Sequence, residues 1–162
     1  LHSFPTRRSS DLEMLEQLLK VENCVILDGV KDWKEAIHIS LQPLVRDGYC
    51  TDDYEAEVLS NTEKYGAYYV LTDDMALIHA SSAAGVKDTQ MAVTVLKQPI
   101  QFTEDGPAVR ILIALCAKDE SSHMSGIVAI SNIFGDDGNV QPILNATSSK
   151  EIYDLFMEAS NA

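Results

Sequence analysis

The chain has little of what most metal, nucleotide or hydrolase chemistry needs. Its three cysteines, Cys24, Cys50 and Cys116, are an odd number with no metal-type spacing. Neither Cys-x-x-Cys nor His-x-x-x-His occurs, so no metal and no cofactor is expected. Cys24 and Cys116 lie inside apolar runs and read as small core residues. No disulfide framework is implied, which makes a reducing cytoplasm the expected compartment. A glycine-rich phosphate loop is missing: Gly135-Asp136-Asp137-Gly138 has neither the spacing nor the lysine. The Gly-x-Ser-x-Gly elbow of many serine hydrolases is absent too. No apolar run approaches the ~20 residues of a membrane helix, and no signal-peptide core is present. Positive charge is scarce: 12 Lys and Arg face 25 Asp and Glu, a net charge of −13. Such a surface repels the phosphates of nucleic acid and of anionic membranes, and suits a basic protein partner.

What remains is the material of one domain. With 162 residues, 46% of them hydrophobic and 23% charged, the chain can bury a sizeable core. Residues 1–12 are set apart as a non-native or disordered segment. Phe4 to Leu12, FPTRRSSDL, resembles the conceptual translation of a sequencing-adapter oligonucleotide, which makes Met14 the expected native start and 13–162 the domain.

From there the patterns alternate between helix and strand. A short amphipathic helix is expected over Glu13–Lys20 and a strand over Cys24–Leu27. Asp32 caps a helix from Trp33 to about Val45, with Glu35 at the third helical position. Pro43 should kink that helix or mark its last turn. His38 on it reads as a surface residue. Thr51, Asp52 or Asp53 caps a third helix to about Lys64, and Gly66 stops it. Tyr68–Leu71 and Met75–Ile78 read as closely spaced strands, a hairpin broken by Thr72-Asp73-Asp74. Met91–Leu96 and Val109–Cys116 read as buried strands. A helix over His123–Phe134 is capped by Ser121 or Ser122. Two short helices follow, near Asn139–Asn145 and Lys150–Ala159, the second capped by Ser148 with Glu151. The expected fold is a single-domain α/β structure, a mixed and mostly parallel β-sheet flanked by α-helices.

Chemistry concentrates where strands end. His79 closes an apolar strand and opens a loop of small residues, Ala80 to Gly85. His123 follows the strongest strand and opens a helix. Ligand sites in open α/β sheets gather at such strand ends and at the helix N-termini beside them, so the two histidines are expected to share one edge. A neutral imidazole is a good nucleophile near pH 7, and a phosphohistidine passes its group on readily. Phosphoryl transfer therefore suits this pair, with His79 as acceptor and His123 as assisting donor. The α-helix N-terminus and the hydroxyls of Ser81, Ser82 and Ser122 would bind the phosphoryl oxygens.

A resemblance sharpens the expectation. Asp32-Trp33-Lys34-Glu35-Ala36, Asn61 to Val70, Ala76-Leu77-Ile78-His79-Ala80, Gly85-Val86 and Leu96 to Ile100 occur in the order of one family. Ala117-Lys118-Asp119 ahead of Ser122-His123, and Leu144 to Ser148, extend the match. The chain resembles the enzyme IIA component of the bacterial sugar phosphotransferase system, mannitol/fructose type, nearest the ascorbate subgroup. The resemblance implies that His79 accepts a phosphoryl group from the carrier protein HPr and passes it to a cognate IIB component. IIB then serves uptake through the IIC membrane transporter. His123 corresponds to the assisting histidine. Where the family usually has proline before the active histidine and often arginine two residues after it, this chain has Ile78 and Ser81. The upstream arginine of mannitol-type members is absent from Asn61–Lys64. Two other readings compete: a regulatory IIA-like module that binds a partner according to phosphorylation state, and a degenerate domain. The sugar stays open, as does the oligomeric state, with a dimer as the alternative to a monomer.

Overall fold

The most apolar stretch of the chain lies in the interior of the sheet. The computed structural model describes residues 7–81 and 84–161, with side chains from Leu12 onward. In chain order its elements are α1 (Arg7–Leu18), β1 (Cys24–Leu27), α2 (Trp33–Arg46), α3 (Asp52–Tyr65), β2 (Val70–Thr72), β3 (Asp74–Ile78), β4 (Gln90–Gln101), β5 (Ala108–Cys116), α4 (Glu120–Phe134), α5 (Val140–Leu144) and α6 (Ser149–Asn161). The strands form one five-stranded sheet in the order β1-β4-β5-β3-β2.

The sheet is mixed, as expected. β1 runs parallel to β4 and β3 parallel to β5, while β4–β5 and β2–β3 are antiparallel. Parallel pairs are thus half of the pairings. The short link Phe102–Pro107 between β4 and β5 allows only an antiparallel return. Period-2 alternation then divides the core between two faces. Met75 and Leu77 of β3 and Ile111, Ile113 and Leu115 of β5 pack against α1, α4, α5 and α6. Ala76, Ile78, Leu112, Ala114 and Cys116 pack against α2 and α3.

Local signals explain most of the boundaries. Asp32 caps α2, its Oδ1 accepting from Glu35 N at 2.8 Å. Gly66 ends α3 at φ +82°, a backbone angle glycine adopts without cost. Ser148 Oγ accepts from Glu151 N at 3.1 Å at the start of α6.

Some boundaries differ from the sequence expectation. α1 begins at Arg7, ahead of Glu13, and stops at Leu18. Buried Leu15 and Leu18 anchor it to the core, and no helix breaker lies between Arg7 and Met14 to stop its propagation. β4 continues through Pro99 to Gln101, although the apolar run ends at Leu96. A register shift between Val95 and Ile100 leaves Lys97, Gln98 and Pro99 exposed, so the proline removes no ladder bond from the interior. Tyr68 and Tyr69 lie in the turn before β2, which starts at Val70. His38 lies on the surface of α2, its Nδ1 2.9 Å from Glu55 Oε1.

Candidate functional site

Strand direction brings the two histidines together. β3 and β5 are parallel, with Ile78 opposite Ala114, so both chains leave the sheet at the same edge. β3 exits into His79. β5 exits through Ala117–Asp119 into α4, whose fourth residue is His123. β4 begins at Gln90, opposite Cys116 at the end of β5. The His79 and His123 rings stand 5.3 Å apart, centroid to centroid, tilted by 51°. Both side chains are half-buried.

Hydrogen bonding fixes the state of His79. Its Nδ1 lies 2.5 Å from the carbonyl oxygen of Leu77. A carbonyl only accepts, so Nδ1 carries the proton and the lone pair sits on Nε2. Burial pushes the His79 pKa below the ordinary histidine value. The Leu77 carbonyl opposes that shift, and nearby His123 adds to it. The result is a neutral imidazole at physiological pH with its lone pair on Nε2.

Two tyrosines hold the backbone beside it. Tyr68 donates its hydroxyl to the His79 carbonyl at 2.5 Å, and the two rings meet edge-on with centroids 5.7 Å apart. Tyr54, buried on α3, accepts from Ala80 N at 2.9 Å and donates to Leu115 O at 2.7 Å. Further on, the Gly85 carbonyl accepts from Thr51 N at 2.8 Å, and Lys87 N donates to Tyr49 O at 2.8 Å. The Cys116 thiol donates to Asp88 O at 3.4 Å. The loop that follows His79 is therefore pinned to the start of α3 and to the end of β5.

The start of α4 departs from expectation. Its cap is Asp119, not Ser121 or Ser122: Asp119 Oδ1 accepts from Ser122 N at 2.8 Å and from Ser122 Oγ at 2.7 Å. Aspartate outcompetes serine because its charge also meets the positive end of the helix. Ser122 N–H and O–H together hold the Asp119 carboxyl below the usual carboxylate range. This carboxylate already occupies the anion-attracting end of α4. Ser122 Oγ also meets Thr89 Oγ1 at 2.8 Å, so its one proton is engaged with Asp119. Ser81 is exposed at the mouth of the loop. Ser82 lies outside the described residues. Among the described residues no group of three or more His, Cys, Asp or Glu could hold a metal ion.

Comparison with known proteins agrees with this fold. Residues 17–159 match the family described as "Phosphoenolpyruvate-dependent sugar phosphotransferase system, EIIA 2". The chain belongs to this family. It is 33% identical over 153 residues to an ascorbate-specific PTS system EIIA component of Shigella boydii, covering 93% of this chain and 99% of that one. It is 31% identical over 130 residues to the mannitol-specific cryptic phosphotransferase enzyme IIA component of Escherichia coli K12, covering 80% and 88%. The solution structure of the E. coli mannitol-specific cryptic enzyme IIA superposes with a TM-score of 0.81 at 28% identity, over 90% of this chain and 98% of that one. The same fold occurs in E. coli mannitol enzyme IIA in its complex with phosphorylated enzyme IIB, with a TM-score of 0.76 at 21% identity over 86% and 97%.

Within this EIIA domain, sequence reasoning located the histidines and missed their supports. Tyr54 reads as the apolar side of a helix, because nothing local shows that its hydroxyl reaches two strand ends. Asp119 was legible: aspartate three residues before Ser122, at the head of a helical pattern, is a cap signal.

Proposed function

We propose that this EIIA domain carries phosphoryl groups for bacterial sugar uptake, with His79 Nε2 as the acceptor atom. The observation that carries the reading is the Nδ1–H bond to Leu77 O, which leaves Nε2 as the nucleophilic nitrogen. Burial keeps the ring neutral and therefore reactive. In the forward step the Nε2 lone pair forms a new N–P bond. The N–P bond of the donor phosphohistidine, on HPr, breaks, and its electron pair returns to the donor imidazole. Charge on the transferring group falls near the second ring, so His123 acts as the assisting hydrogen-bond donor. Because Asp119 already caps α4, this side-chain donor has more to supply than the helix terminus does. Ser81 is the exposed hydroxyl nearest in sequence to the phosphoryl group. Ser122 contributes by holding the first turn of α4 in place.

The group then passes to a cysteine of a cognate IIB component. Ascorbate or a related sugar is the proposed substrate of the pathway, by analogy with the relatives. Exposed Met124, next to His123, gives both partners apolar surface to meet. A cytoplasmic location follows from HPr as donor. No helix among the described residues is long and apolar enough to cross a membrane, so contact with a IIC transporter would run through IIB.

The test is phosphoryl transfer in vitro. The protein is mixed with phosphoenolpyruvate, enzyme I and HPr, and its intact mass is followed for an acid-labile adduct. An adduct that disappears in His79→Ala, and forms or discharges more slowly in His123→Ala, is the expected result. No adduct on the wild type with active, cognate HPr would refute the carrier role.

A further inference from the structure

β3 ends at Ile78, so the next peptide unit, between His79 and Ala80, has no strand partner for its two polar groups. Half-buried or buried backbone groups need partners. Here both come from tyrosine hydroxyls on the α3 side of the site. Tyr68 donates to the His79 carbonyl, and Tyr54 accepts from Ala80 N. Tyr54 then donates onward to Leu115 O of β5. One hydroxyl thus stands where the next rung of the β3–β5 ladder would lie. It links the two strand ends while holding them a hydroxyl's width apart.

We propose that Tyr54 and Tyr68 are positioning residues for the His79 imidazole. By gripping both ends of the His79–Ala80 peptide they fix the backbone torsion from which the ring is hung, and so keep Nδ1 on Leu77 O and Nε2 toward the reacting group. The idea rests on the carrier reading of His79 and extends it to residues that touch neither phosphoryl group nor donor nitrogen. The His79 carbonyl only accepts, so the Tyr68 hydroxyl proton points toward it. Tyr54 is 1% exposed and its loss orphans two buried backbone groups, whereas Tyr68 is 40% exposed and its hydroxyl can be removed from a folded protein.

The experiment compares wild type, Tyr68→Phe and Tyr54→Phe with two phosphoryl donors, phospho-HPr and phosphoramidate. In the second reaction Nε2 bonds to phosphorus and ammonia leaves with a proton. No protein partner is involved. Losing one positioning bond is expected to slow His79 labelling about tenfold with either donor, with half-saturation by phospho-HPr unchanged. Long-range proton–nitrogen spectra should show His79 protonated on Nδ1 in the wild type and a mixture of tautomers in Tyr68→Phe. Circular dichroism identifies a variant that has not folded, and Tyr68→Phe alone then decides. Wild-type labelling by phosphoramidate together with an unchanged phosphoramidate rate and tautomer in Tyr68→Phe overturns the proposal. So does a loss seen only with phospho-HPr, which marks Tyr68 as a docking residue. If phosphoramidate labels His79 and phospho-HPr does not, the carrier role fails, while the phosphoramidate rates still judge the two tyrosines.

Discussion

Replacing Gly85 with alanine should damage both stability and transfer. Gly85 sits at φ +75°, and an added methyl would lie 2.6 Å from Thr51 Oγ1, 2.8 Å from Tyr54 N and 3.0 Å from Asp53 Cβ. The left-handed backbone alone costs about 1–2 kcal/mol for alanine. Overpacking against backbone that cannot retreat adds about 1–3 kcal/mol. The sum is about 2–5 kcal/mol, a large share of the ~5–15 kcal/mol of a typical domain. At roughly 2–4 °C per kcal/mol for a domain of this size, the middle of that range lowers Tm by roughly 7–14 °C. Gly48 provides the control. Its φ is +84°, yet nothing lies within 4 Å of the added carbon, so Gly48→Ala should lose only the backbone part, about 1–2 kcal/mol. Because the Gly85 methyl presses on the start of α3, it also displaces Tyr54, and His79 labelling should slow in Gly85→Ala but not in Gly48→Ala. Calorimetry and phosphoryl labelling of the two variants side by side measure both effects. Equal melting temperatures would refute the close-approach argument.

Acid sensitivity should trace partly to His79. Its folded pKa lies below the ordinary value of 6.5, so the unfolded chain takes the proton first as pH falls. The associated stability is intact above that value and is lost as pH drops toward the folded pKa. Urea unfolding at pH 7.5 and 5.5 should therefore show a smaller acid loss in His79→Gln than in wild type, and equal losses would contradict it. For Asp119, whose folded pKa is depressed by Ser122, stability is present above the usual carboxylate range and is lost as pH falls through the folded value. Asp119→Ala should lower Tm at pH 7, with Asp119→Asn closer to wild type; a Tm unchanged in the alanine variant would show that the cap contributes nothing.

The parts of the fold legible in the sequence are those set by local rules. Val109 to Cys116 reads as a buried strand because its apolarity is nearly continuous, and Asp32 reads as a cap because Glu35 follows at the right spacing. The shared edge of His79 and His123 was legible because strand ends and helix starts collect sites. What was not legible depends on distant partners. The extension of β4 past Pro99 needs its neighbour β5 and a register shift. The Tyr54 hydroxyl reaches Leu115, 61 residues away along the chain. Ser122 looked like a phosphate donor until Asp119 and Thr89 were seen to engage its hydroxyl.

The strand order β1-β4-β5-β3-β2 has a consequence for biosynthesis. β5 is the last strand made, yet it lies between two strands made earlier. A chain halted before Val109 presents the facing edges of β3 and β4 unpaired, and such open apolar edges recruit other chains. It also lacks Leu115, the second anchor of Tyr54, and has no His123. Late insertion of one strand thus completes the sheet and the histidine pair together. An incomplete chain exposes sticky edges and lacks the paired-histidine site.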